Sequence, residues 1–375
     1  MRAPEERFES KLHEGRSAAV LGIALGVSFS VCFLTGLWSH FAQHPPSWFD
    51  FPARPAGLYR VTQGLHVVTG TASVPLLLAK LWVVFPHFVK LPPVRSVAHA
   101  IERLALLPLV GGSLFLLGTG VANVARWYPF PFYFPTGHYW AAWLTMGGLV
   151  AHIGAKLSIT ADALRRVPAD PTLVRATPTD RRAFLGGVAA ASGAVVLATA
   201  GGTVAPLGDL SVLAQREPGV GPQGLPINQT AAAAGVVDRA RDRGWRLVVD
   251  GAVDQPLDLT LADLRALPQR EAVLPIACVE GWSASARWRG VPVRDLLALA
   301  GAAPGAEVVV RSLEEAGRYG SSELNGGQAA DADTLLALEL GGEPLHIDHG
   351  YPARLIGPNR PGVLQTKWVT RLEVR

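Results

Sequence analysis

A chain of 375 residues has room for two or three domains, and at 49% hydrophobic against 17% charged it is too apolar for a wholly soluble protein. The formal net charge of +4 could suggest nucleic acid, but the excess sits in basic clusters between apolar stretches, so no nucleic-acid partner is expected. With Cys32 and Cys278 as the two cysteines, one in an apolar stretch and one far downstream, a structural disulfide is not expected either.

In chain order, residues 17–38, 64–85, 104–125 and 139–161 read as membrane spans of about 20 residues. The residues before them lack an apolar core ending in a small-residue cleavage site, so no removable N-terminal signal is expected. A fifth apolar stretch, 186–205, follows Thr179-Asp180-Arg181-Arg182-Ala183-Phe184-Leu185. That is the pattern of a twin-arginine export signal, an address read by a receptor that carries folded, cofactor-loaded domains across the bacterial cytoplasmic membrane. Lys and Arg collect in cytoplasmic loops. Placing the N-terminus inside puts Arg2, Arg7, Lys11 and Arg16, then Lys90, Arg95 and Arg103, then Arg165, Arg166, Arg175, Arg181 and Arg182 on the inner side, against Arg54, Arg60 and Arg126 outside. Five spans then leave the C-terminal domain extracytoplasmic, as the export signal independently requires.

The helical half is rich in histidine: His40, His44, His66, His87, His99, His138 and His152, beside His13 in the tail. An ionisable group at membrane depth is costly and turns into the bundle to do something. Imidazole is also the usual axial ligand of b-type haem, held between facing helices. His138 and His152 stand 14 residues apart on the fourth span. At about 1.5 Å per residue that is roughly 21 Å of rise, within roughly 40° of one face, which suits two stacked haems. His66 lies at the depth to face His138. An inner haem at His152 would need His99 or His87, and neither matches as well in depth, so one haem or two are both open. His40, His44 and His87 read as interfacial, and Lys80 and Lys156 as snorkelling side chains, with a haem propionate or a quinone site as their functional option.

On His66-Val67-Val68-Thr69-Gly70 and His152-Ile153-Gly154-Ala155-Lys156-Leu157, residues 15–165 resemble the four-helix b-type cytochromes that exchange electrons with membrane quinones. The resemblance implies haem b as cofactor and quinone or quinol as partner. No Cys-x-x-Cys-His occurs, so covalent haem attachment is not expected.

Residues 206–235, rich in Gly, Pro, Ala and Gln, read as a linker that ties into the next domain. Beyond it Trp245-Arg246-Leu247-Val248-Val249, Val308-Val309-Val310 and Lys367-Trp368-Val369 read as strands, and 261–267 and 293–300 as short helices, an α+β pattern. The chemistry lies in Pro275-Ile276-Ala277-Cys278-Val279-Glu280-Gly281-Trp282-Ser283, followed by Trp288-Arg289-Gly290-Val291-Pro292-Val293. With 245–251, 259–268, the block Gly342-Glu343-Pro344-Leu345-His346-Ile347-Asp348-His349-Gly350-Tyr351-Pro352-Ala353-Arg354, and Gln365-Thr366-Lys367-Trp368, residues 225–375 resemble the sulfite oxidase superfamily of molybdenum enzymes. Within it they are most similar to the periplasmic methionine sulfoxide reductase branch.

The resemblance implies a pyranopterin dithiolene holding molybdenum, with the thiolate of Cys278 as the one protein ligand. A soft, anionic sulfur suits a metal that cycles between oxidation states, and coordination keeps it deprotonated. It also implies Arg354 and Lys367 on the pterin phosphate through charge-assisted hydrogen bonds, with His349 and Asn228 as further pterin contacts. Sulfite-oxidising members carry arginines just after the cysteine, where this chain has Gly281-Trp282-Ser283, and a tyrosine where it has Leu336-Ala337-Leu338-Glu339-Leu340. Sulfite is therefore disfavoured. Trp282 suggests an apolar pocket for a neutral S-oxide or N-oxide, and Arg287 is a candidate charge near the metal.

The domains expected are a four-helix transmembrane cytochrome over 1–165, an inner loop with the twin-arginine motif and fifth transmembrane helix over 166–205, a linker over 206–235 and a molybdopterin-binding oxidoreductase over 236–375. The function expected is a membrane-anchored oxidoreductase passing electrons from quinol through b haem to molybdenum, which reduces a small-molecule substrate by oxygen-atom transfer. The twin-arginine translocase would be its partner during export. Substrate oxidation feeding quinone, and a metal-free docking or sensing module, are the alternatives.

Overall fold

The computed structural model describes residues 10–88, 97–165, 177–214, 216, 219–315 and 317–375. Five long helices come first: α1 (Gly15–Gln43), α2 (Leu58–Phe88), α3 (Val97–Val124), α4 (Phe134–Leu164) and α5 (Pro178–Thr199). Among the described residues four helices, α1, α2, α3 and α5, are long and apolar enough to cross a membrane, against five windows expected. α4 has the length, at 31 residues, but His138, His152, Lys156, Asp162 and several glycines dilute its hydropathy.

The chain divides into two compact units. The helical one comprises the described residues up to Thr35 together with Leu65–Ala200 and a short stretch from Leu210. Its surface is apolar, with Ile23, Val27, Leu78, Leu107, Leu114 and Leu144 exposed, while Ser28, Ser73, Ser113, Thr119, Thr145 and Ser192 are buried. Such inversion is what lipid demands, since unmet polar groups are costly there and small polar side chains tie helices together. Ser28 Oγ meets Ser73 Oγ at 2.8 Å between α1 and α2, and Ser192 Oγ of α5 donates to the Ala72 carbonyl at 3.0 Å. α3 and α4 run close because Gly112 has no side chain: a Cβ there would stand 2.2 Å from Thr145 Oγ1. α5 starts on a reciprocal Thr177/Asp180 capping box with Pro178 in its first turn, and its Arg181 pairs with Glu14 at 2.8 Å.

The second unit comprises Gly36–Gly64, Gly201–Asp209 and Arg216–Arg375. Its strands are β1 (Arg246–Gly251), β2 (Leu257–Thr260), β3 (Arg270–Cys278), β4 (Trp282–Pro292), β5 (Val308–Ser312), β6 (Ser321–Leu324), β7 (Leu335–Leu340), β8 (Glu343–Pro344), β9 (Arg354–Ile356) and β10 (Val369–Val374). They form two sheets, ordered β2-β1-β10-β5-β6 and β3-β4-β7-β8, with β9 also paired to β7. Short helices α6 (Val237–Arg241), α7 (Leu261–Ala266), α8 (Val293–Leu299) and α9 (Gly326–Ala330) complete this α+β fold. Leu247, Val249, Leu296, Val308, Val310, Leu336 and Leu372 make one core, and Leu274, Ile276, Cys278, Trp282, Trp288, Leu335 and Ile356 a second. The cysteine block, which carried no strand expectation, is the antiparallel β3–β4 hairpin, with Cys278 opposite Trp282. Gly281, at φ 84°, supplies the left-handed residue that a three-residue hairpin loop needs.

Candidate active site

Cys278 ends β3 and is 1% exposed. Two donors reach its sulfur: the Asn228 side-chain amide at 2.9 Å and the Glu280 backbone N–H at 3.4 Å. Trp282, 4% exposed, donates its indole N–H to Asn228 Oδ1 at 3.1 Å. One amide thus links the sulfur to the indole. Burial, with Glu280 nearby, pushes the Cys278 thiol up to about 12. A thiol held so is inert as a free nucleophile, and only a bound cation would make it a thiolate at neutral pH. The turn itself is pinned, because Thr203 Oγ1 donates to the Gly281 carbonyl at 2.5 Å and Arg216 pairs with Glu280 at 3.2 Å.

Two buried cations, Arg354 and Arg360, and the half-buried Lys367 lie in the same unit. Arg354, at the start of β9, is 4% exposed, stands 5.4 Å from the Trp288 ring centre and donates to the His349 carbonyl at 3.3 Å. Lys367 Nζ donates to the Gln229 and Asp348 carbonyls, both at 2.8 Å. Arg360 donates to Gln328 Oε1 at 2.6 Å and to the Glu323 and Leu364 carbonyls. Among the described residues, the Nε atoms of Arg354 and Arg360 meet no hydrogen-bond partner. Burial lowers Arg354 to about 9 and Arg360 to about 10. Burial, then the Arg354 charge, lowers Lys367 to about 7. His349 is buried, donates Nε2–H to the Pro222 carbonyl at 2.6 Å, and is held down to about 4 by burial. Gly350, at φ 109°, lets these cations approach: a Cβ there would lie 3.1 Å from both Arg354 Cβ and Lys367 Cβ.

Buried cations whose donors reach carbonyls, with guanidinium N–H groups left over, are expensive unless an anion joins them. The donor set therefore fits a phosphate-bearing cofactor, and the buried soft sulfur fits its metal. A pH dependence follows. Lys367 would be neutral in the cofactor-free fold above about 7 but protonated in the unfolded chain up to 10.5. Cofactor-free protein should therefore gain stability as pH rises from 7 to 10.5, since the unfolded state binds more protons there. Binding a phosphate anion restores the proton, so phosphate affinity should fall over the same rise. Thermal melts with and without inorganic phosphate at pH 6.5 and 9 check both signs.

The structure does not bring every expected residue here. Arg287 projects from the exposed face of β4, 63% exposed, and pairs with Glu271 at 3.6 Å. It stands opposite Val273, well back along β3 from Cys278, so it supplies no charge at the sulfur. The stretch expected as a linker instead contributes Gln223, Asn228 and Gln229: Gln223 receives the His346 backbone N–H at 2.8 Å, and Gln229 donates to Glu314 at 2.8 Å. Sequence reasoning missed Arg216, Glu280 and Arg360. A charged residue two positions after the cysteine was a readable signal for Glu280; the other two had no local signal.

The helical unit holds a second constellation. His66 on α2 and His138 on α4 face each other with ring centres 6.3 Å apart. His66 Nδ1 meets the Cys32 carbonyl at 2.8 Å, and His138 Nδ1 meets Thr119 Oγ1 at 2.9 Å. Thr119 spends its own proton on the Phe115 carbonyl at 2.7 Å, so it accepts from the histidine. Both rings then carry hydrogen on Nδ1 and a lone pair on Nε2, the state that a metal-ligating histidine anchored through its other nitrogen adopts. His152 is half-buried on α4 and His87 is exposed at the end of α2, whereas the His99 side chain lies outside the described residues.

Residues 234–375 match the family model for the oxidoreductase molybdopterin binding domain. A protein of Azospira oryzae named provisionally as protein-methionine-sulfoxide reductase subunit YedZ1 is 36% identical over 130 residues, covering 35% of this chain and 48% of its own. The oxidoreductase YuiH of Bacillus subtilis is 33% identical, covering 34% of this chain and 64% of its own. Mitochondrial sulfite oxidase of Mus musculus is 32% identical, covering 35% and 29%. The chain thus spans from under a third to under two thirds of these relatives.

Proposed function

Residues 234–375 belong to the molybdopterin-binding oxidoreductases of the sulfite oxidase superfamily, and from that premise we propose that the whole chain is a quinol-driven reductase of S-oxides or N-oxides. A molybdenum-pterin on the Cys278 thiolate would supply two-electron oxygen-atom transfer there. Arg354 and Lys367 would hold the phosphate, and His349, kept neutral by burial and oriented by the Pro222 carbonyl, would border the pterin. Asn228 orients the sulfur. Trp282 walls the site with an apolar face that would favour a neutral substrate over sulfite.

Haem b between His66 and His138 would relay the electrons. Two imidazoles sharing one metal at about 2 Å each put their ring centres roughly 6 Å apart, close to the 6.3 Å seen. The observation that carries the catalytic reading is the buried sulfur held by Asn228 and Glu280 within the family domain. Metal analysis of purified protein tests it. Molybdenum near one per chain, b-haem bands after dithionite and dye-driven reduction of methionine sulfoxide are expected; absence of molybdenum from a competent host sinks it.

The membrane arrangement rests on parity. Gly36–Gly64, Gly201–Asp209 and Arg216–Arg375 share one compact unit, which would lie on one side of the membrane. An even number of crossings would then separate its parts. With α2, α3 and α5 apolar enough to span, α4 would be the fourth crossing. The twin-arginine pair at Arg181-Arg182 and the basic inner loops support that side being outside, with the translocase carrying the C-terminal domain. A Trp48→Cys variant, exposed on the first loop, should take a membrane-impermeant maleimide in intact spheroplasts; labelling only after permeabilisation would reverse the topology.

A further inference from the structure

The segment that carries the export address has structural work in the folded helical unit. Thr179-Asp180-Arg181-Arg182-Ala183-Phe184-Leu185 is wound into the opening turns of α5. Asp180 belongs to the capping box, its carboxylate accepting the Thr177 backbone N–H at 3.1 Å. Arg181 is turned away from solvent: its side chain and that of Glu14 are 20% and 17% exposed, and they meet at 2.8 Å. The same Glu14 oxygen accepts the hydroxyl of the buried Ser17 at 3.4 Å, which fixes the carboxylate where the guanidinium arrives. Phe184, half-buried, sets its ring 5.5 Å from that of Trp82 on α2, and Trp82 meets the His13 ring edge-on at 4.4 Å. Two turns further along, the Ser192 bond to the Ala72 carbonyl holds α5 to α2. Arg182 stays exposed.

An address needs none of these contacts. A receptor that reads paired arginines needs carboxylates of its own to take them. Glu14 already supplies one, so the receptor binds only the fraction of chains in which Arg181 is free, and its apparent affinity falls by that fraction. The apolar half of the motif is engaged in the same way, with the Phe184 ring already against Trp82. A motif that stays in the chain as the start of a helix would otherwise go on being read after it had served.

On the twin-arginine reading given above, we propose that Glu14 and Trp82 form an intramolecular cover for the motif. Packing of α5 on α1 and α2 then hides the address from the translocase. The receptor reads a chain whose α5 has not yet docked, and the assembled protein is no longer taken up. The cover and the covered segment both belong to the helical unit.

The test is competition in detergent: a fluorescent peptide of residues 177–205 is bound to the purified receptor complex of the twin-arginine translocase, and full-length chain is added to displace it. Glu14→Gln should compete at least about threefold better than the unaltered chain, and Glu14→Gln with Trp82→Ala at least about tenfold better. Trp82 is 44% exposed, so its loss opens no core, and Glu14→Gln alone decides if the double variant does not accumulate. Ser28→Ala, which loosens α1 from α2 at the Ser73 contact and leaves the motif alone, should compete no better than the unaltered chain. A Glu14→Gln chain with unchanged competition, or a Ser28→Ala chain that gains as much, overturns the cover alone. A peptide carrying Arg181→Lys and Arg182→Lys that binds the receptor as tightly as the natural one overturns the twin-arginine reading and the cover with it.

Discussion

Cys278→Ser protein should accumulate with its helical unit intact and reduce sulfoxide at least about 100-fold more slowly per bound molybdenum than the unaltered chain, because serine offers no soft anionic ligand at neutral pH. The substitution is nearly isosteric at a site 1% exposed, so no cavity opens. The new hydroxyl can accept the Asn228 amide that now reaches the sulfur, which holds the folding penalty to about 1–2 kcal/mol. Loss of activity would therefore not be loss of fold. Dye-driven sulfoxide turnover divided by molybdenum content from mass spectrometry checks this. Undiminished turnover per molybdenum in the serine variant would remove Cys278 from the coordination sphere.

On the proposed haem reading, His66→Ala should abolish the b-haem absorbance and lower quinol-driven turnover at least about 100-fold, since the pair that would hold the group is broken. Both rings are anchored through Nδ1, by Cys32 and by Thr119, and leave their other nitrogens to a ligand. His152→Ala is the companion. If the protein holds one haem, that variant keeps its full absorbance; if two, about half remains. A His66→Ala chain with undiminished haem would move the site elsewhere in the bundle.

Much of this site could be read in the sequence because its parts are local. Cys278 and Trp282 sit within one hairpin, and Gly350 and Arg354 within one block. His66, His138 and the fifteen-residue segment 138–152 declare themselves as polar residues in apolar runs. Failures came where a side chain's use is set by partners far along the chain. Arg287 looked well placed by number, but an extended strand carries it away from the cysteine and β-pairing turns it to Glu271. Arg360 and Asn359 are surrounded by Gly and Pro and look like turn residues, yet they hold Gln328 and the first loop. Tyr59, Phe51 and Arg54 read as an ordinary outer loop because nothing within several residues of them reveals a domain some 270 positions downstream. α4 was legible as a long helix by its length, although its histidines, Lys156 and Asp162 leave it outside the four helices apolar enough to cross a membrane.

That the first loop belongs to the distant unit bears on how the protein is made. On the proposed route, residues 49–60 are threaded out early with the first hairpin of helices, whereas residues 201–375 close around their cofactor inside and travel afterwards. The carboxamides of Asn325, Gln328 and Asn359 would then wait in water until the first loop is met on the far side. Maturation would end as a fragment complementation within one polypeptide.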